Sequence, residues 1–382
     1  MGDLRIVFIS NYLNHHQLPL CNAFLEMEQV EFLFVAVEPV SQARLELGYS
    51  DIDSKYDFVI RAYLSEREKL KAINEMKKAD ILISGENLRS YLSIKEQKGK
   101  LIFLYSERIF KKKEFNIEFI KNILRVVKNH TLNKNRNIYI LCASAYVSIE
   151  FKKFRAYTGR MYAWGYFPEI YRKEEEEVKR LKKSKDIRIL WVGRLIKYKQ
   201  PQQALEIAKG LQKKGYCFRL DIVGSGELEN VIKEQVHIEK LEERVNILGA
   251  KPVDMVRDYM DKANIFLFTS NAEEGWGAVL NEAMSSRCAV VANRCIGSVP
   301  FLLEHEKNGL IYDGTVEDLL AKTESLLKDR KKQIELGEQA YQTMIAQWNA
   351  KTAAKNLIQL SKRLLAGEGY DEQLKGPCSY IG

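Results

Sequence analysis

IRILWVGRLIKYKQPQQALEIAKGLQKKG, residues 187–215, holds one full cycle of the pattern that organises the chain. Ile187 to Val192 is a nearly unbroken apolar run, as a strand covered on both faces should be. A loop with Gly193, Arg194 and Lys199 follows. Residues 202–215 then repeat apolar positions at helical spacing and stop at Gly215, a common helix terminator. Strand, loop and helix in this order are one unit of a parallel α/β sheet.

The cycle recurs along the chain. FRLDIVGSG (218–226), VNILG (245–249), NIFLFTS (264–270), AVVANR (289–294) and GLIYD (309–313) read as further strands downstream. Upstream, RIVFIS (5–10), VEFLFVAV (30–37), DFVIRAYL (57–64), DILISG (80–85), LIFLYS (101–106) and IYILCAS (138–144) form a first series, with SEREKLKAINEMKKA (65–79) an amphipathic helix between two of them. The expected fold class is therefore α/β, two Rossmann-like doubly wound domains in tandem. A chain of 382 residues suits that number. The charged run YRKEEEEVKRLKKSKD (171–186) separates the series and reads as a solvated helix or linker. The expected divisions are 1–168, 169–345, and a C-terminal helix and tail over 346–382, the helix packing back toward the first domain. GEGYDEQLKGPCSYIG (367–382) reads as a loose tail.

No signal peptide is expected from MGDLRIVFIS, and no apolar run reaches the ~20 residues that cross a bilayer. Six scattered cysteines without a CxxC pair favour reduced core thiols in a cytosol. The formal charge is +9, and residues 100–136 alone carry 10 Lys/Arg against 3 Asp/Glu. Such a patch meets phosphates of nucleic acid or of a membrane surface. Within it, 110–129 combines Phe115, Phe119, Ile120, Ile123, Leu124 and Val127 with Lys111, Lys112, Lys113, Lys121, Arg125 and Lys128. Two readings stay open: an amphipathic helix on an anionic bilayer, or a core helix with a solvated back.

In open parallel sheets ligands bind beyond the carboxyl ends of strands. Two such sheets facing each other would enclose a cleft. Arg194 and Lys199, past the strand at 187–192, suit a diphosphate: a planar fork and a mobile point charge. IVGSGE (222–227) supplies Gly224 and Gly226 but lacks the third glycine of the dinucleotide fingerprint. EEGWGAVLNEAM (273–284) places Gly275, Trp276 and Gly277 before a helix start at Ala278, Val279 and Leu280. Bare amides at a helix start attract phosphate. Glu274 then projects from the turn and Glu282 sits about one turn into the helix. A carboxylate grips vicinal hydroxyls by accepting two hydrogen bonds.

GRL-x3-Lys, GSGE, NILG, EGWGAVLNEAM and NGLIYD (308–313), in this order, resemble the retaining GT-B glycosyltransferases called glycosyl transferases group 1, closely over about 187–315 and in rhythm alone before that. The resemblance implies an interdomain cleft, an N-terminal acceptor domain and a C-terminal nucleotide-sugar donor domain. It implies that Arg194 and Lys199 neutralise the donor diphosphate without a metal or other cofactor. Gly193 and Gly224 would lie at the donor, and Gly249 to Lys251 would flank the base. Glu274 would hold the transferred sugar, the amides of Gly277 to Leu280 the phosphates, and Glu282 the ribose.

The expected activity is transfer of a hexosyl group, with retention, from a nucleoside-diphosphate sugar to a glycan or lipid-linked hydroxyl, as in bacterial polysaccharide biosynthesis. The expected location is cytoplasmic, with peripheral contact to an anionic membrane through 110–129 and no nucleic-acid partner. Departures are Gln200, where the family has glycine, and Phe301, where a glutamate is common. In the first series, SNYLNHHQLP (10–19) replaces a glycine-rich loop, so Asn14, His15, His16 and Gln17 are candidates for acceptor or phosphate, or else a helix cap. Glu107 and Arg108 are further acceptor candidates. DID (51–53) has the form of a metal-binding DxD but reads as chance. The rivals are a GT-B sugar-nucleotide epimerase, a dinucleotide oxidoreductase and a nucleic-acid-binding protein.

Overall fold

The computed structural model describes residues 4–42, 51–85, 88–93, 96–111, 117–132, 137–184 and 186–382. They form two compact units, one of 1–169 with 348–382 and one of 170–347. In the first, the elements run β1 (Leu4–Ser10), α1 (Leu18–Leu25), β2 (Val30–Ala36), β3 (Val59–Arg61), α2 (Glu66–Lys78), β4 (Ile81–Ser84) and β5 (Leu101–Ser106). They continue with α3 (Ile117–Val126), β6 (Ile138–Cys142), α4 (Ala145–Lys153) and β7 (Met161–Ala163). The sheet order is β3-β2-β1-β4-β5-β6-β7, every pairing parallel. Adjacent residues such as Ile6 and Val7, or Leu82 and Ile83, are all fully buried, so both sheet faces are covered. This is why the strands show apolar runs rather than alternation.

The second unit runs α5 (Glu175–Lys182), β8 (Ile187–Val192), α6 (Pro201–Lys213), β9 (Phe218–Val223), α7 (Glu229–Ile238), β10 (Val245–Gly249) and α8 (Val253–Lys262). It continues with β11 (Ile265–Phe268), α9 (Val279–Ser285), β12 (Ala289–Asn293), α10 (Val299–Leu302), β13 (Leu310–Tyr312), α11 (Val316–Lys328) and α12 (Arg330–Ala346). Its parallel sheet has the order β10-β9-β8-β11-β12-β13. Sequence order reverses beside β8 and β11, so the loops after these strands diverge and leave room at their carboxyl ends.

Several expectations need correction. The strand expected over 57–64 is only Val59–Arg61, and β7 was not foreseen. The charged run is not merely solvated: Val178 is buried, and Lys173 Nζ lies 2.7 Å from Asp261. Lys182 donates to the carbonyls of Met260 and Ala263, and burial lowers its pKa.

The tail is not loose. Helix α13 (Ala350–Ala366) packs on α1, with Lys351 Nζ 2.7 Å from Glu26. Beyond it, Met161 N–H donates to Gly382 and Ala163 N–H to Ser379, while Cys378 N–H donates to Ala163 and Ile381 N–H to Met161, all at 2.7–3.0 Å. Residues 378–382 thus line the outer edge of β7 with antiparallel pairing at Tyr162 and Tyr380. Cys378 is buried, and Tyr370 stacks on Tyr380 at 3.8 Å. An exposed sheet edge is thereby capped.

Helix α3 continues into a π-helical turn, Val127–Thr131. Val126 is buried and Phe119 and Ile123 are half-buried, whereas Ile120 and Leu124 face outward. Lys112, Lys113 and Phe115 lie outside the described residues. Among the described residues, no helix is long and apolar enough to cross a membrane.

Candidate functional site

In the second unit the loops after β8, β9 and β10 are stitched together by backbone hydrogen bonds. Gly193 N–H donates to Val223 at 3.0 Å, Leu195 N–H to Ser225 at 2.9 Å, and Gly224 N–H to Gly249 at 2.9 Å. Gly224 has φ +137°, and a Cβ there would stand 1.8 Å from the Gly193 carbonyl oxygen. Glycine at 224 is therefore required by the neighbouring loop, whatever else approaches it. Gln200 adopts φ +51° and ψ +51°, a left-handed conformation that favours glycine. The departure at this position keeps the backbone shape and carries its strain.

The charged side chains converge on the loop after β11. Lys199 Nζ donates to Glu274 Oε2, and Ser270 Oγ donates to the same oxygen at 2.9 Å. Thr269 Oγ1 donates to the Lys199 carbonyl at 2.7 Å and accepts from Trp191 Nε1 at 2.8 Å. The Asn271 N–H donates to the Tyr198 carbonyl at 2.8 Å. Two loops far apart in sequence are thus locked side by side. Arg194, exposed, donates to the Tyr198 hydroxyl at 2.9 Å, and the Lys199 ammonium lies 5.5 Å from the Tyr198 ring centre. Tyr198 spaces the two cations. A pair of cations held apart on one rim, with a carboxylate beside them, can bind a diphosphate and a polyol together.

Glu282 is the fourth residue of α9. Burial pushes its pKa up to about 7, with Arg257 pulling the other way. No hydrogen bond or ion pair among the described residues joins it to the Lys199–Glu274 pair. The structure thus links Arg194, Lys199 and Glu274 through Tyr198 and the ion pair.

Two donor candidates change role. The Trp276 side chain is fully buried and its Nε1 donates to Asn281 at 2.9 Å, so it packs the core beneath the turn. The Leu280 N–H donates to the Gly277 carbonyl at 3.0 Å, so this amide closes the turn and is not open to a phosphate. Gly277, at φ +83°, lies against the Phe268 ring, where a Cβ would come within 2.3 Å. Gly275 is buried, while Ala278, Val279, Gly249 and Lys251 are half-buried. Phe301 packs toward Trp276, ring centres 6.2 Å apart.

In the first unit, Asn14 Oδ1 accepts from the N–H groups of His16 and Gln17 at 3.0 and 3.2 Å, closing the turn that leads into α1 rather than capping the helix itself. Gln17 is buried and donates to Ser10 Oγ at 3.0 Å. His15 and His16 have ring centres 3.9 Å apart, and burial lowers the pKa of His15. His16 stacks toward Tyr166, whose hydroxyl donates to Glu107 at 2.8 Å. Arg108 lies 3.4 Å from Glu150 and 4.6 Å over the Tyr146 ring, in a brace of the loop after β5. Asp53 is buried and accepts from the Leu13 N–H at 2.8 Å, so the DID stretch anchors the loop after β1.

Sequence reasoning missed Tyr198, Thr269, Ser270 and Arg257. A signal existed for two of them, since Thr269 and Ser270 immediately follow a buried strand. Tyr198 and Arg257 carried none.

Residues 172–343 match the model of the family described as glycosyl transferases group 1. The amylovoran biosynthesis glycosyltransferase AmsK of Erwinia amylovora is 36% identical over 141 residues, 35% of this chain and 34% of AmsK. The capsular polysaccharide biosynthesis glycosyltransferase CapM of Staphylococcus aureus is 27% identical over 139 residues, 36% of each chain. Each alignment therefore spans about a third of the relative's length. Anabaena HepE, solved in complex with UDP, shares the fold with a TM-score of 0.68 at 16% identity, over 94% of this chain and 98% of HepE. The two parallel-sheet units have the GT-B fold, and residues 172–343, just under half of the chain, are similar to the glycosyl transferases group 1 family.

Proposed function

We propose that this chain transfers a sugar from a nucleoside-diphosphate sugar to a hydroxyl of a glycan or lipid-linked acceptor, with retention and without a metal. One observation carries this reading: Arg194, Lys199 and Glu274 meet at the carboxyl ends of β8 and β11, in the part of the chain that matches the family. The relatives named for amylovoran and capsular polysaccharide biosynthesis support a glycan product, and HepE with UDP supports a nucleotide donor. The free thiols of all six cysteines support a reducing, cytoplasmic setting.

In this reading Lys199 exchanges part of its pairing with Glu274 for the diphosphate, and Arg194 swings from Tyr198 to the same group. Glu274, released on one oxygen, accepts from hydroxyls of the transferred sugar. The amides of Gly277, Ala278 and Val279 face the phosphates, and Gly249 and Lys251 flank the base. Glu282 accepts from the ribose hydroxyls in its ionised form. Charge-assisted bonds of this kind contribute ~1.5–3 kcal/mol each. The acceptor oxygen bonds to the anomeric carbon as the bond from that carbon to the diphosphate oxygen breaks. The acceptor's proton passes to the departing phosphate, on the same face of the sugar. Two fixed cations supply the countercharge that a divalent ion supplies elsewhere. Asn14, His15, His16, Gln17, Glu107 and Arg108 are the proposed acceptor-side groups of the first unit.

Calorimetry against a panel of nucleoside diphosphates and their sugars, with and without EDTA, tests this. Binding that survives EDTA and weakens in both Arg194→Ala and Glu282→Ala is expected. Unchanged affinity in both variants would overturn the reading. Consumption of the donor to an epimer without any acceptor would replace it with an epimerase.

A further inference from the structure

Helix α3 has an outward face unlike an ordinary solvated surface. Its inner side is settled: Val126 is buried, Ile123 is half-buried, and Phe119 packs on Phe110 with ring centres 5.3 Å apart. The opposite side should therefore be polar. Instead Ile117, Ile120 and Leu124 stand 73, 44 and 63% exposed. At 100° per residue these three fall within an arc of roughly 60°, and Lys121 and Arg125 continue the same face. Lys128, on the following π turn, is also exposed. A single exposed leucine needs no explanation, but three large aliphatic residues grouped beside cations mark an interaction surface.

The charges decide the occupant. Among the described residues Lys121, Arg125 and Lys128 enter no ion pair, in a stretch carrying 10 basic against 3 acidic residues over 100–136. A second copy of this face would set cations against cations. A nucleic acid would find phosphate partners but no aromatic platform for its bases, and it would leave the aliphatic side chains wet. An anionic bilayer satisfies both sets of groups, with headgroups at the cations and the acyl boundary at the aliphatic residues. We propose that the outward face of α3 is a docking surface for an anionic lipid bilayer. It stands independently of the transferase reading, although it would bring a lipid-linked acceptor within reach.

Flotation of the full chain with vesicles tests it, comparing phosphatidylcholine alone with phosphatidylcholine containing phosphatidylglycerol. Binding is expected only to the anionic vesicles, weakening as salt rises. Each cation near such a surface is worth about fivefold in partitioning, so K121Q/R125Q/K128Q should lose on the order of 100-fold. I120S/L124S should lose binding at every salt concentration while retaining the salt dependence. Nucleotide binding by calorimetry should be unchanged in both variants, which shows that they fold and separates this test from that of the donor site. Four outcomes overturn the proposal: no binding to anionic vesicles at low salt; binding unaffected by I120S/L124S; tight binding to a short RNA in place of vesicles; or a dimer in sedimentation velocity that I120S/L124S abolishes.

Discussion

Lys199 and Glu274, 75 positions apart, are joined as an ion pair at the ends of two adjacent strands, with side chains 14 and 10% exposed. Neither group is idle without a ligand, since each neutralises the other in a setting that excludes most water. Removing one partner strands the other charge. Lys199→Met and Glu274→Leu should each destabilise the second unit by on the order of 3 kcal/mol, and the double variant by less than the sum. Urea unfolding followed by the fluorescence of Trp191 and Trp276 reads this out. Sugar transfer should fall by on the order of 10²–10³ in all three, because the double variant restores packing and not chemistry. Additive stability losses would show that the pair is not coupled.

In the proposed donor complex Glu282 sets a pH dependence. Its pKa is raised to about 7 by burial, and the ionised carboxylate is the form that accepts from hydroxyls. Nucleotide affinity should rise about tenfold between pH 6 and 8 and level off above, and Glu282→Gln should flatten the profile. For folding the sign is opposite. The folded state holds this proton more tightly than the unfolded chain, so the contribution to stability falls as pH rises from the ordinary carboxylate range toward 7. Calorimetry across that range, with wild type and variant in the same buffers, checks the binding profile.

The loop glycines separate into required and replaceable positions. Gly224→Ala forces a Cβ to 1.8 Å from the Gly193 carbonyl oxygen and should cost more than about 4 kcal/mol, or prevent folding of the second unit. Gly249→Ala, at φ +68° with nothing within 4 Å, should cost only about 1–2 kcal/mol. Gln200→Gly relieves a left-handed residue and should change stability by less than about 1 kcal/mol, in the stabilising direction. Denaturation midpoints rank the three. Equal effects at 224 and 249 would contradict the stitched-loop geometry.

Removing residues 376–382 should uncover β7. The N–H groups of Met161 and Ala163 then lose their acceptors at Gly382 and Ser379. Hydrogen exchange should accelerate at these two amides and remain unchanged in β8 to β13. Protection that persists at Met161 in the shortened chain would show that the pairing does not hold the edge.

Much of this architecture was legible because a strand buried on both faces advertises itself as a continuous apolar run. Ile81–Ser84 and Ile265–Phe268, buried at every position, were readable for that reason. Met161–Ala163 was not, since three residues carry too little pattern, and its partner lies more than 200 positions away in a polar, glycine-bearing segment. The loop residues Arg194, Lys199 and Glu274 were legible from residue type and place after strands. That Lys199 would spend its charge on Glu274, with Ser270 and Thr269 fixing the geometry, was not, because those contacts join loops from different strands. Trp276 misled for a related reason: beside glycines it resembled a binding residue, and its full burial follows from the Asn281 and Phe301 side chains around it.

The closure of β7 by residues 378–382 has a temporal side. The ribosome makes the first sheet before the second, yet α13 and the capping segment follow the whole second unit in chain order. At ordinary synthesis rates the edge of β7 waits on the order of ten seconds or more while the intervening unit is produced. Through that interval the half-built sheet offers bare amides and carbonyls to any neighbouring nascent chain, and the unit begun first is completed only after the second has been made.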